Sequence, residues 1–454
     1  MAPQAQDNAH RDETESEAHR LFRAVPGHER KGEHKDDDRR PLNDDDAPIG
    51  IKPPGSTGKL LALSKHVTDD GSTNKWANFG QGAPEVGPIP GASDRPTSIP
   101  VGDAINEYGP TTGIAELREA VANLYNETYR KGKSSLYTKD NVCIVPGGRA
   151  GLTRVASVVG DVFVSFQIPE YTAYDQMLSS FRRLVPIPTV LDKEDAYHLN
   201  IDKLEKSVRE QGLSVIVASN PRNPTGQVVK GRDLERLVEM ARHGTTVILD
   251  EFYSWYLYDV EEGSCVSAAE FVDDVNKDPV ALIKALGQAG SYLDGGASHP
   301  TQVAAIPLLE PSRVQQDRLA LQRLFKKKRD YVLDRLEKMG LKVVNKPNST
   351  FYIWLDLSQL PSPLSSGLTF FEELLKEKVI VVPGQFFDLN PSHRRNLFDS
   401  PCHSFVRLSF GPEMSEISRG LDGIERLLKR VRKAVEAGQD LHDVIGKDLK
   451  TLKE

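Results

Sequence analysis

The chain has little cysteine, no long apolar run and no surplus of positive charge, and each shortage excludes a class of protein. Cys143, Cys265 and Cys402 are the three cysteines, odd in number and scattered over 454 residues. They form neither a disulfide framework nor a zinc-ligand spacing, so no metal site is expected. No apolar stretch approaches the roughly 18–20 residues of a membrane span, which excludes a spanning helix. The net charge of -7 and pI near 6.0 leave no basic face for nucleic acid. The N-terminus lacks the apolar core of a signal peptide and is rich in acids, unlike a mitochondrial presequence, so a cytoplasmic location is expected.

What is present is enough chain for more than one core, and two packed domains with tails are expected. Residues 1–46 carry the runs Asp36-Asp37-Asp38 and Asp44-Asp45-Asp46 with few aromatics, and are expected to be a disordered charged tail. Residues 47–115, rich in Gly and Pro, are expected to form an N-terminal arm and part of a small domain. A large domain is expected over 116–310, the rest of the small domain over 311–435, and a tail over 436–454.

The large domain reads as α/β. Short apolar runs at Asn141–Val145, Val162–Phe166, Ser214–Ser219 and Thr245–Asp250 alternate with segments of helical period such as Leu234, Leu237, Val238 and Ala241. Strands that are apolar on both faces and separated by helices predict a mostly parallel central sheet covered by helices. After Tyr256 the alternation stops. A helical stretch reaches Gly340, and LKVVN, TFYIWLDL, VIVVPG, FVRLSFG and a final amphipathic helix predict a smaller α+β domain.

Several local features offer chemistry, each with a plain structural alternative. Val145-Pro146-Gly147-Gly148-Arg149 sets two glycines between a predicted strand and a helix start, which is a seat for phosphate or an ordinary tight turn. Tyr171 and Tyr174 follow the run VFVSF, where aromatic rings stack on a planar ligand or simply pack. Asn223-Pro224-Thr225-Gly226 is by itself a turn signal. Asp250 ends the apolar run TTVIL, where a carboxylate either faces a positive partner or caps a helix, and Tyr253 lies close enough to share its site.

Taken together, PGGRAGL, PEYTAY, NPRNPTG, LDEFY and FVRLSFG, in this order and at these separations, closely resemble the class I/II aminotransferases, which have fold type I and use pyridoxal 5'-phosphate. The resemblance covers roughly residues 50–435. It implies that Gly147, Gly148 and Arg149 serve the cofactor phosphate, that Tyr171 stacks on the pyridine ring, and that Asn223 and Tyr253 bond its phenolic oxygen. Asp250 would pair with the pyridine nitrogen. Arg407 would clamp the substrate carboxylate, and Tyr108 would reach the phosphate of a neighbouring subunit, which implies a homodimer. The implied reaction moves an amino group from an amino acid to a 2-oxo acid. A lyase or an aminocyclopropane-carboxylate-synthase-like reaction on the same fold uses the same residues. The alternative of another class is an inactive homologue acting as a cofactor-binding or dimer partner.

One part of the family pattern is not found. The resemblance implies a lysine on the strand after the Asp250 strand, preceded by Ser or Thr and followed by an arginine. It would hold the cofactor as a Schiff base and then move the α-proton. Lys284 stands at about the family separation from Asp250, but inside a helical period of Val280, Ile283, Leu286 and Gly287, with no Ser or Thr beside it and no arginine before Arg313. Lys277 fits less well. The simplest account is a block of roughly 20–25 residues absent near Val280 and Ala281, taking two strands of the large-domain sheet with it. A gene-model error, a splice form and a degenerate paralogue each produce such a gap.

Overall fold

The structure is a computed structural model that describes residues 76–84, 87–99, 101–181, 183–277, 283–391 and 400–445. The acidic tail 1–46, most of the arm that follows, the end of the chain after 445 and the expected break at Val280 and Ala281 lie outside the described residues. In chain order the elements run β1 (Ala77–Asn78), α1 (Ala115–Tyr129), α2 (Gly148–Val158), β2 (Val162–Ile168), α3 (Ala173–Ser180), β3 (Leu184–Val190), α4 (Ile201–Gln211), β4 (Val215–Ser219), α5 (Arg232–Arg242) and β5 (Thr246–Asp250). They continue with α6 (Ile283–Leu293), α7 (His299–Ala305), α8 (Pro311–Lys338), β6 (Tyr352–Asp356), α9 (Gly367–Lys376), β7 (Val379–Ile380), β8 (Val382–Pro383), β9 (Phe405–Ser409), α10 (Met414–Glu436) and α11 (Leu441–Val444).

Two compact units result. The first is 86–330 together with 345–352, and the second takes the rest of the described chain. Helix α8 opens just past residue 310, at Pro311, and lies in the first unit as far as Asp330. Its buried Gln322 donates to the carbonyls of Trp255, at 2.9 Å, and Ser264, at 2.7 Å, which ties the early turns of α8 to the first unit.

The first unit is built on a parallel sheet in the order β3-β2-β4-β5. The helices between strands bury one stripe each, as α5 does with Leu234, Leu237, Val238 and Met240. Central β4 is buried along its whole length, while β3 at one edge is only partly covered. Pro186 and Pro188 fit in β3 because an edge strand has a side that needs no N–H donors.

The other edge is less ordinary. β5 reads TVILD, the composition of a strand covered on both faces, yet each of its five residues is half-exposed, and among the described residues it pairs only with β4. Phe252, just beyond it, is 65% exposed. The run Asn141–Val145, expected as a strand, is not one: after a 3-10 turn at Lys139–Asn141, its extended residues pair with no neighbouring strand. Extended backbone becomes a strand only when a partner supplies the ladder, and the amide of Ile144 instead donates to Thr112 O at 2.8 Å.

Where a further strand was expected, the chain after Asp250 runs through turns, then a 3-10 turn at Ala268–Glu270, and is next described as helix α6. That helix packs on α2: buried Arg154 donates to both carboxylate oxygens of Asp294, at 2.8 and 2.5 Å, and to Thr111 O at 2.7 Å. A Cβ at Gly290 would lie 2.3 Å from the Arg154 guanidinium carbon, so the approach needs glycine there. A strand edge that is apolar over Val247–Leu249 and pairs with nothing further among the described residues is a template for self-association. Phe252→Lys is therefore expected to raise the protein concentration at which light scattering sets in; an unchanged onset would mean that this edge is not the sticky surface.

In the second unit, α10 buries Ile417, Leu421, Ile424, Leu427 and Val431 on one stripe. Strands β6, β9 and β8 form a sheet in that order, and β1 pairs with β7 in parallel. The expected strand LKVVN is irregular chain, and FVRLSFG supplies β9.

Candidate active site

The first unit gathers its chemistry at the C-terminal ends of β2, β4 and β5, where open parallel sheets place ligands. The amide of Asn220 donates to Asp250 O at 2.9 Å, which joins the loop after β4 to the end of β5. That loop is NPRNPTG. It closes with the Arg222 amide on Gln227 O at 2.8 Å and the Gly226 amide on Arg222 O at 2.9 Å. Gly226 has φ of +70°, and an added Cβ would sit 2.5 Å from that of Pro347, so only glycine holds this turn.

Beneath the loop lies a charged cluster that the sequence reading did not single out. Glu170, fully buried at the end of β2, accepts from the Tyr171 amide at 2.9 Å and the Ser219 amide at 3.3 Å, and also from the Ser219 hydroxyl and the Arg222 guanidinium. Ser219 Oγ in turn accepts from the Asn223 amide at 3.3 Å. The backbones of Tyr171 and Asn223 are thus held by one buried carboxylate and its hydroxyl partner. Only the Glu within PEYTAY and the Arg within NPRNPTG could have signalled this, and nothing in one sequence says that they meet.

Two groups of side chains sit on this frame. In one, Arg149 Nε donates to Tyr171 Oη at 3.3 Å, the rings of Tyr171 and Tyr174 meet edge to face at 5.6 Å, and Tyr174 Oη donates to Asp250 at 3.4 Å. In the other, Asn223 Nδ2 donates to Tyr253 Oη at 3.4 Å, and Tyr253 Oη shares a hydrogen bond of 3.0 Å with Tyr352 Oη. Tyr174, singled out with Tyr171 in the sequence, is thereby placed on Asp250, and Tyr352 joins the expected residues.

Asp250 is the informative member. Burial pushes its carboxyl above the usual range, against bonds from the Phe252 amide and the Tyr174 hydroxyl, and it has no cationic partner among the described residues. Such a carboxylate fits a protonated ring nitrogen, which would complete it. Gly147, with φ of +97°, leads into α2, where no side chain caps the first N–H groups and the space beside both Gly147 and Gly148 is open. That end suits an anion.

The remaining expected residues lie elsewhere. Tyr108 is 96% exposed. Lys277 is exposed and pairs with Asp274 at 3.2 Å, away from these groups. Lys284 is the second residue of helix α6, not part of a strand. Arg407, in the second unit, is buried on β9, donates to Gly80 O at 2.8 Å and lies over the Phe387 ring at 4.9 Å. Among the described residues no cluster of His, Cys, Asp or Glu could hold a metal, and no helix is long and apolar enough to cross a membrane.

Comparison with known proteins identifies the family and the fold. The family model described as aminotransferase class I and II matches residues 74–289 and 275–424, two stretches that overlap around the end of the first unit's β5 connection. A probable aspartate/prephenate aminotransferase of Aquifex aeolicus is 26% identical over 354 residues, covering 72% of this chain and 84% of that protein. An aromatic-amino-acid aminotransferase of Thermococcus litoralis is 27% identical over 354 residues, covering 72% and 85%. Among solved structures, an aminotransferase from Mycobacterium tuberculosis superposes with a TM-score of 0.68 at 20% identity, covering 84% of this chain and 97% of that one. A double mutant of Thermus thermophilus aspartate aminotransferase gives 0.66 at 20% identity, covering 83% and 97%.

Proposed function

Because the chain belongs to the aminotransferase class I and II family and is by that family a pyridoxal 5'-phosphate-dependent aminotransferase, we propose that this form binds the cofactor without a covalent anchor and is severely impaired in amino transfer. When bound, the cofactor supplies the electron sink that lets an amino acid give up its α-proton and amino group to a 2-oxo acid partner. In this reading Asp250 holds the ring nitrogen protonated, Asn223 and Tyr253 bond the phenolic oxygen, and Tyr171 covers one face of the ring. Gly147, Gly148 and Arg149 seat the phosphate at the start of α2. Arg407 binds the substrate carboxylate through its planar fork.

The observation that supports the missing anchor is the edge of β5, which among the described residues pairs only with β4: the family lysine belongs on a strand beside it, and residue 284 is helical. The overlap of the two family-matched stretches at 275–289 supports the same break. With no base beside the substrate α-carbon, the lost proton transfer lowers the rate by about 10²–10⁴-fold. The exposure of Tyr108 supports a homodimer in which it reaches the neighbouring subunit's phosphate. Its three free thiols suit a cytoplasmic location.

Titrating pyridoxal 5'-phosphate into the purified chain tests the reading. Binding is expected, and Asp250→Asn should weaken it roughly ten- to a hundredfold, the worth of a charge-assisted bond. Equal affinity in wild type and variant would remove Asp250 from the ring nitrogen.

A further inference from the structure

Glu251, the residue just after β5, is a second partly buried carboxyl, and nothing assigned so far uses it. It follows Asp250 directly in the chain. Its two oxygens accept from the Ser267 hydroxyl at 2.6 Å and the Ala268 amide at 2.7 Å, at the start of the Ala268–Glu270 3-10 turn. The far side of that turn is gripped by Arg130, fully buried, whose guanidinium donates to Ala269 O at 2.9 Å, Val272 O at 2.7 Å and Asp273 O at 3.3 Å. Arg242 adds a bond to Phe271 O at 2.7 Å. Between strand and turn, Gln322 holds Trp255 O, Ser264 O and the Gly263 amide.

The stretch that a neighbouring strand would steady is therefore steadied by side chains, and Glu251 is the tie nearest the strand end. We propose that Glu251 is a positioning residue for the cofactor: it fastens the end of β5 to the Ser267–Ala268 turn and so fixes where Asp250 and Tyr253 present their polar atoms. The inference rests on the reading of Asp250 as partner of the ring nitrogen.

The surroundings of Glu251 make this tie sensitive to pH. Tyr125 and Tyr129 face it from α1, Cys265 from the loop that also carries Ser267, and Asp250 from its own strand. Arg318, facing the same group, is bonded to Cys265 Sγ at 3.0 Å. Burial, with Asp250 adding to it, pushes the Glu251 carboxyl from 4.5 up to about 7 against its two hydrogen bonds. An unfolded glutamate loses its proton first, so this group lowers the stability of the fold as pH rises from 4.5 to about 7. Above that range the carboxylate is ionised, holds both donors as a charged acceptor and adds negative potential behind Asp250.

The test is the affinity of pyridoxamine 5'-phosphate, which cannot condense with a lysine, for wild type, Glu251→Gln, Glu251→Ala and Asp250→Asn at pH 6 and pH 8, with near-ultraviolet circular dichroism to verify folding. Glu251→Gln keeps the shape and is expected to match wild type within about twofold at pH 6 and to bind about tenfold more weakly at pH 8. Glu251→Ala is expected to be weaker at both. A ratio of Glu251→Gln to wild type that stays constant with pH, or equal affinities throughout, overturns the inference while leaving the cofactor reading intact. Failure of wild type to bind overturns both, and binding that ignores Asp250→Asn overturns the reading on which the inference rests.

Discussion

Restoring a block of roughly 20–25 residues between Asp278 and Ile283, carrying a Ser-Lys or Thr-Lys pair on a strand and a following arginine, is expected to raise amino transfer by about 10²–10⁴-fold or more. The expectation follows from what β5 offers. Among the described residues its outer edge pairs with no strand, its apolar side chains are partly covered, and Phe252 stands exposed beside it. A strand added there would cover them and bring its lysine to the ends of β4 and β5, near the loops that carry Asp250, Asn223 and Tyr253. It would also give Asn141–Val145, which among the described residues joins no strand, a sheet to join. Lys284→Ala in the chain as it stands is expected to leave the residual rate unchanged. Sequencing the transcript across Asp278–Ala285 checks the same point: a longer form with the lysine and arginine would identify the gap as a shortened gene model or splice form.

Arg222→Met is expected to destabilise the first unit by about 3–5 kcal/mol, because it leaves the Glu170 carboxylate buried without its cation. That corresponds to a melting temperature lower by roughly 6–20 °C for a unit of this size. The effect should be larger than for most single substitutions, since the partner groups of Glu170 are two amides and a hydroxyl that cannot neutralise it. Pairing Arg222→Met with Glu170→Gln is expected to recover much of the loss, because the stranded charge is then gone. Equal melting of the single and double variants would mean that the pair is not coupled. The loop would suffer as well as the core: Ser219 and Asn223 take their places from this cluster, so cofactor affinity should fall with stability in the single variant.

Much of this was legible in the sequence because it is local. The runs at Val162–Phe166, Ser214–Ser219 and Thr245–Asp250 became β2, β4 and β5 within two residues at each end, since apolar composition and flanking turns are short-range signals. The polar residues at their ends were readable for the same reason, being fixed to strand ends. What was not legible depended on partners. β3 was hidden by Pro186 and Pro188, which an edge strand tolerates and a sequence pattern does not advertise. Asn141–Val145 has strand composition, but a strand also needs a neighbour. Glu170 with Arg222, Arg154 with Asp294 and Glu251 with Ser267 are meetings made by the fold between residues far apart or on different elements. A long amphipathic helix such as α8 carries no mark in its sequence at Asp330, where the first unit ends.

The central claim is a cofactor cradle complete for the ring and lacking its covalent lysine. The measurement that tests it most directly is borohydride reduction of the purified chain saturated with pyridoxal 5'-phosphate, followed by absorbance and peptide mass analysis after extensive dialysis. The account predicts cofactor that binds, dialyses away and leaves no stoichiometric pyridoxyl adduct on any lysine. A stoichiometric adduct on Lys284, lost in Lys284→Ala, would contradict it.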